Sequence, residues 1–176
     1  GDGRYEWSGY LPIKERPSLL NPSEGFFSTA NQHVTPDNYT HWDAIGYTWA
    51  DPYRGDRIKQ VLSNKKKFSL SDMGSLQTDY YSIPATKIVP LLKNISLTDS
   101  ALNASKKLVL DWNYILDKNS IAAGIYAMWE KQIAAMMTEK FIPKEVSKLI
   151  SFQLSTIIQY LQNPEKYFGT NGVTER

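Results

Sequence analysis

The spacing of hydrophobic and polar positions changes near residue 37. Ahead of it, Tyr5, Trp7, Gly9 and Leu11 alternate with Arg4, Glu6, Ser8 and Tyr10, the period of two that a half-buried strand needs. Pro12 and Pro17 then bracket a stretch that cannot be helical, because proline removes an N–H donor and restrains the residue before it. Asn21-Pro22-Ser23-Glu24-Gly25 carries turn chemistry. The β-prone run from Phe26 to Gln32 predicts a strand, and Pro36 closes it. Residues 1–36 therefore read as a strand-rich segment.

Beyond residue 37 the period becomes helical. Trp42, Ile45 and Trp49 predict a short helix that Asp51-Pro52 interrupts, and Arg57, Ile58, Val61 and Leu62 predict a second. Ser69 followed by Asp72 predicts a capping box that opens a third. Pro84 and Pro90 divide the stretch from Ile83 to Leu92 into two short turns or a kinked helix. Three longer helices are expected after that. The first runs from Thr98 to Leu116 with Leu102, Leu108, Trp112, Ile115 and Leu116 inward. The second runs from Ser120 to Lys140 and, apolar on nearly every side, should be the most buried. The third runs from Pro143 to Gln162 along a stripe of Val146, Leu149, Ile150, Leu154, Ile157, Ile158 and Leu161. Residues 37–165 thus form a helical region, and residues 166–176 are expected to be a frayed tail.

Composition narrows the function classes. The 176 residues suit one domain, and a net charge of +2 gives no footing for a phosphate-tracking groove, so nucleic acid is not an expected partner. No apolar run approaches the ~18 residues of a membrane span. The absence of cysteine removes disulfides, thiolate nucleophiles and zinc–thiolate sites. Five Trp and eleven Tyr supply core area, but rings of this kind also line pockets for apolar groups.

The candidate chemistry is sparse. His33 and His41 share no helical face and no metal-binding motif, so both read as surface or hydrogen-bonding residues. There is no glycine-rich phosphate loop and no Gly-x-Ser-x-Gly elbow. Sequons at Asn38, Asn94 and Asn103 matter only in a eukaryotic secretory route. Asp37, Asp43, Asp51 and Asp56 cluster in sequence, either as helix caps and turn residues or as a hard-cation site. Met128, Met136 and Met137 read as core filler. Thr29, Asn31 and Gln32 lie at the end of the expected strand, with Arg54 and Arg57 on the next helix. An Asn amide can donate to an oxyanion while a guanidinium holds it, although an Asn at a strand end is also an ordinary structural residue.

Several runs carry a family signature: Tyr5-x-Trp7-x-Gly9-Tyr10-x-Pro12, Asn21-Pro22-x-x-Gly25-Phe26, Ala30-Asn31 and Tyr53-Arg54-x-x-Arg57-Ile58. Fainter ones follow in Ser71-Asp72-Met73, Leu110-x-Trp112 and Ala123-x-x-Tyr126-x-x-Trp129. Together they resemble the penicillin amidase (penicillin acylase) family of N-terminal-nucleophile hydrolases. The resemblance implies a share of an αββα fold, here a mainly helical α+β piece with a small antiparallel sheet remnant. It implies cleavage of acylated amines such as β-lactams or acyl-homoserine lactones, by a serine at the start of a β chain whose own α-amine is the base. By the same resemblance Asn31 is the side-chain donor of the oxyanion hole and Arg57 supports the site. No cofactor is required, and a structural calcium in the parent enzyme would take Asp43 as one ligand. The family setting is periplasmic or extracellular.

The nucleophile and the first oxyanion donor lie upstream in the family, and the chain opens Gly1-Asp2-Gly3. It is therefore expected to be an internal or C-terminal part of a β chain, inactive alone, whose partners are the rest of the parent α and β chains and a small amide substrate. Strand edges cut from a parent sheet would favour a homodimer of the isolated piece. Two other classes stay open: a non-catalytic binding or scaffold module on the same fold, and an unrelated helical interaction domain. The absence of a strand at residues 25–32, or wide separation of Asn31 from Arg57, would favour the last.

Overall fold

The computed structural model describes residues 2–4, 6–64 and 66–169. Helices follow one another as α1 (Trp42–Ile45), α2 (Tyr53–Ser63), α3 (Leu70–Gln77), α4 (Ile83–Ile88), α5 (Ser100–Leu110), α6 (Ile121–Phe141), α7 (Leu154–Gln162) and α8 (Pro164–Phe168), with 3-10 turns at Ile13–Glu15 and Val89–Asn94. The chain is mainly helical.

Local side-chain caps set four of these eight helix starts. Ser69 Oγ accepts from Asp72 N at 3.1 Å while Asp72 Oδ2 accepts from Ser69 N at 2.7 Å, so the capping box of α3 forms as expected. Ser82, Asp99 and Ser120 cap α4, α5 and α6 by taking the N–H three residues on. Only one of the two prolines interrupts the stretch: Pro84 sits in the first turn of α4, where its missing N–H costs nothing, while Pro90 lies at the start of the tighter 3-10 turn that follows.

One core lies where α4, α5, α6 and α7 meet. Ala85, Ile88, Val89, Val109, Trp112, Ala123, Tyr126 and Ile158 are buried there, and Tyr53, Leu92 and Leu154 pack against them. A second cluster of Met137, Ile157 and Leu161 joins α6 to α7, flanked by Phe141, Phe152 and Phe168. Ring contacts at 5.1–6.0 Å bind Phe141 to Phe152, Tyr160 and Phe168. In this way α8 is held, while residues 170–176 of the expected tail lie outside the described residues.

The strand expectations are corrected. The described residues contain no strand, only an isolated antiparallel bridge between Tyr81 and Ile115, so the sheet remnant of the expected α+β fold does not form. Residues 28–32 satisfy their polar groups locally instead. Gln32 Nε2 donates to Ser28 O at 3.1 Å and Gln32 Oε1 accepts from Ala30 N, which removes the groups a ladder would use. Further upstream, Trp7 and Tyr10 are almost fully exposed, so their alternation has no face to pack on; Tyr5 of that pattern lies outside the described residues.

Three helix expectations are also revised. The first long helix begins after Asp99 and ends at Leu110; Trp112 is buried, but Leu102, Leu108, Ile115 and Leu116 are exposed. Tyr114 takes a left-handed φ of 63°, which no helix continues through. Helix α6 runs as long as expected, yet Ile121, Met128 and Met136 face outward, so Met137 alone of the three methionines fills core. Helix α7 starts only at Leu154, and residues 143–149 make turns. The cause is tertiary: the Asp51 carboxylate takes the N–H groups of Leu154 and Ser155 at 3.0 and 2.9 Å. Those donors would otherwise bond carbonyls four residues upstream, so Leu149 and Ile150 leave the stripe and stay exposed.

Candidate functional site

The site is assembled on one face of α2. Arg54 and Arg57 stand three residues apart, so both guanidinium groups project from the same side of the helix. They do different things. Arg54 Nη2 donates to Asn31 Oδ1 at 2.9 Å and to Ala30 O at 2.8 Å. Arg57 is drawn the other way, donating from Nε to Asp79 Oδ1 at 3.1 Å and from Nη2 to Asp79 Oδ2 at 2.7 Å, with Nη1 on Gln60 Oε1 at 2.7 Å. Its planar group also lies 4.5 Å from the Tyr81 ring centroid.

Asn31 is held by two hydrogen bonds. Its φ is 67°, a left-handed conformation that Asn tolerates better than most residues. Its carbonyl accepts from Ala50 N at 2.8 Å. A guanidinium only donates, so the atom facing Arg54 is the amide oxygen. The Asn31 Nδ2 group makes no hydrogen bond among the described residues, and the residue is exposed. The result is an oriented carboxamide with two free N–H bonds.

Gln32 and Gly55 set the height of that loop above α2. The Gln32 carboxamide lies across Gly55, where a Cβ would come within 2.7 Å of Gln32 Oε1 and nearer still to Cδ and Nε2. Glycine makes room there for the Gln32 carboxamide by close approach, since its backbone is ordinary helix. Ser28 Oγ adds a contact to Gly55 O at 3.4 Å.

A cavity of about 450 Å³ opens beside Ala30, lined by Arg54, Arg57, Asp79, Tyr53, Ile58 and Leu116 among others. Its far wall is fixed by Ser82 N donating to Tyr114 O at 2.8 Å and Leu116 N to Tyr80 O at 2.9 Å. Arg57, with a further bond from Tyr81 N, holds the Asp79 carboxyl below the usual carboxylate range. Burial, reinforced by the Asp51 and Asp56 charges, pushes the Tyr53 phenol up to about 12, so it stays a neutral hydroxyl near pH 7. Tyr126 is driven up by burial and by its bond to the Glu130 carboxylate, deeper in the core. None of these groups is poised as a base at neutral pH.

The remaining candidates separate. His33 stacks on Trp42 at 4.7 Å and meets Trp49 edge-on at 5.4 Å, while His41 pairs with Glu15 at 3.2 Å. Asp43 and Asp56 occupy the first turns of α1 and α2. Among the described residues no three His, Asp or Glu side chains, Asp43 included, gather closely enough to hold a metal ion. Sequence reasoning brought Asn31 together with a guanidinium on α2. The one in contact is Arg54, while Arg57 lines the same cavity bonded to Asp79. It did not pair Gln32 with Gly55, since their partnership is across space and leaves no pattern along the chain. No helix among the described residues is long and apolar enough to cross a membrane.

Comparison with known proteins adds a direct likeness. A profile of the family described as penicillin amidase matches residues 1–176. The chain is 24% identical over 139 residues to penicillin acylase 2 proenzyme of Pseudomonas sp. (strain SE83), covering 78% of this chain and 18% of that protein. It is 33% identical over 87 residues to acyl-homoserine lactone acylase QuiP of Pseudomonas fluorescens (strain Pf0-1), covering 49% of this chain and 10% of that one. It is 28% identical over 69 residues to penicillin G acylase of Escherichia coli, covering 39% of this chain and 8% of that protein. The chain therefore spans less than a fifth of the length of these relatives.

Proposed function

The chain belongs to the penicillin amidase family, and on that premise we propose that it forms one wall of the active site of an amide-bond hydrolase. In this reading Asn31 is the side-chain donor of the oxyanion hole. The observation that carries it is the carboxamide itself: Arg54 ties Oδ1 at 2.9 Å and leaves both Nδ2 hydrogens free on an exposed loop. A donor fixed before the reaction is worth more than one that must reorganise as charge develops.

The chemistry assigned to the parent protein follows from that donor. A nucleophilic serine hydroxyl outside these residues attacks the amide carbonyl, its proton passing to the serine's own α-amine. The carbonyl oxygen becomes an oxyanion that Asn31 Nδ2 stabilises by hydrogen bonding. The C–N bond then breaks, the amine leaves with the transferred proton, and water hydrolyses the acyl ester. In this reading the nucleophile belongs to another part of the parent protein, so the chain alone is expected to turn over nothing measurable. Acylated amines, β-lactams and acyl-homoserine lactones are the substrate classes the named relatives point to. The finer assignments belong to the same proposal: a share in an αββα N-terminal-nucleophile fold, partnership with the remaining α and β chains, and a periplasmic or extracellular setting. Arg57, bonded to Asp79, shapes the cavity beside the donor.

The test is Asn31→Asp in the full-length protein that contains this chain. Asp keeps the size, the tolerance of positive φ and the tie to Arg54, but presents an anionic acceptor where the N–H stood. With acyl 4-nitroanilides of aromatic and aliphatic chain, kcat should fall by ~10²–10³ with KM little changed. An unchanged kcat removes Asn31 from the reaction and returns the chain to a scaffold role.

A further inference from the structure

We infer that Asp51 is a positioning residue for the oxyanion donor, acting by fixing the segment that grips Asn31; this rests on the reading of Asn31 given above. Asn31 is held from two sides by a five-residue stretch: Ala50 N bonds its carbonyl at 2.8 Å, and Arg54 Nη2 bonds its side-chain oxygen at 2.9 Å. Asp51 lies between those two grips and is itself anchored elsewhere. Its carboxylate accepts from Leu154 N at 3.0 Å and Ser155 N at 2.9 Å, capping α7 with both oxygens. That geometry fixes two directions at once, and the positive end of the helix dipole favours the charge. Gln153 Nε2 adds a bond to Trp49 O one step further along.

Helix α7 is a rigid anchor because its buried face is core. Ile157, Ile158 and Leu161 are 1–4% exposed, and Ile158 packs in the same cluster as Ala85, Ile88 and Tyr126. Tyr53 of the gripping stretch packs against that cluster too. Position therefore passes from the core through α7 to Asp51, and from Asp51 to Ala50 and Arg54. A catalytic group displaced by about 1 Å can lose a factor of 10² in rate, so the anchor matters to chemistry without touching substrate.

The experiment compares Asp51→Asn and Asp51→Ala in the full-length enzyme, alone and combined with Asn31→Asp, using the same acyl 4-nitroanilides. Asp51→Asn keeps one accepting oxygen and the volume, so it remains informative should the alanine variant fail to fold. For Asp51→Asn, kcat should drop by about tenfold to 10²-fold, with KM within about twofold. In the Asn31→Asp background the same change should cost nothing further, because the group it positions has gone. A folded Asp51→Asn enzyme with normal kcat overturns the proposal, as does an equal loss in both backgrounds. Failure of the oxyanion reading is seen separately: Asn31→Asp alone would then leave kcat intact, and Asp51 would have no donor to position.

Discussion

Replacing Gly55 by alanine sets two well-defined effects against each other. Gly55 is the third residue of α2, where glycine to alanine stabilises by up to about 1 kcal/mol, the helix-interior value, since alanine loses less backbone entropy. Here the new methyl would occupy the space of the Gln32 carboxamide, within 2.7 Å of Oε1. A side chain of that length can swing away, so the cost is not a rigid clash but the bonds it abandons. Those are Gln32 Nε2 to Ser28 O and Ala30 N to Gln32 Oε1. At about 0.5–1.5 kcal/mol each they sum to roughly 1–3 kcal/mol, which offsets the helix gain and leaves a net loss of up to about 2 kcal/mol. In a Gln32→Ala background the bonds and the obstacle are both absent, and Gly55→Ala should stabilise by up to about 1 kcal/mol. The prediction is thus a change of sign, read by urea denaturation of all four members of the cycle, with a coupling of about 1–3 kcal/mol. Stabilisation by Gly55→Ala in the unmodified chain would refute the account of how the Asn31 loop is held.

Asp79→Asn removes the charged partner of Arg57 and should cost about 1–2 kcal/mol in chemical denaturation. Because Arg57 depresses the folded-state pKa of Asp79, this pair stabilises at pH above the ordinary carboxylate value and loses that contribution as pH falls through the lowered one. The variant should therefore narrow its deficit against the parent in acid, measured from pH 7 down to about 3; a deficit constant over that range would contradict the pairing. Ser69→Ala deletes one half of the α3 capping box and should destabilise by about 1 kcal/mol, with faster amide exchange confined to Leu70–Gln77.

What could be read along the chain was whatever is decided within a few residues. The Ser69–Asp72 box, the change from helix to 3-10 turn around Pro90, and the start of α6 beside Ser120 are short-range chemistry, and each appears where the spacing puts it or within a residue of it. The α7 start was misread because its apolar stripe extends upstream through Val146 and Ile150, and nothing local says that a carboxylate from residue 51 will end the helix at Leu154. The strand at residues 26–32 failed for a related reason: β-propensity describes fitness for a paired surface, and no neighbouring strand is present among the described residues to supply one. That Asn31 meets a guanidinium from α2 was legible through its motif and the arginines of that helix. Which arginine meets it was not, since Arg54 and Arg57 share a helical face and only the position of Asp79 divides their work.

The Asp51 cap also imposes an order of events on synthesis. Its two oxygens wait for backbone donors 103 and 104 residues further along. A ribosome adding about 5–20 residues per second needs roughly 5–20 s to make that stretch. Through that interval α2, α3 and α4 can form from local signals, while the loop carrying Asn31 lacks its anchor. Closing so long a loop is an entropic cost met only when the last helices condense. The loop that carries Asn31 would then be translated well ahead of its anchor and set in place only when α7 docks.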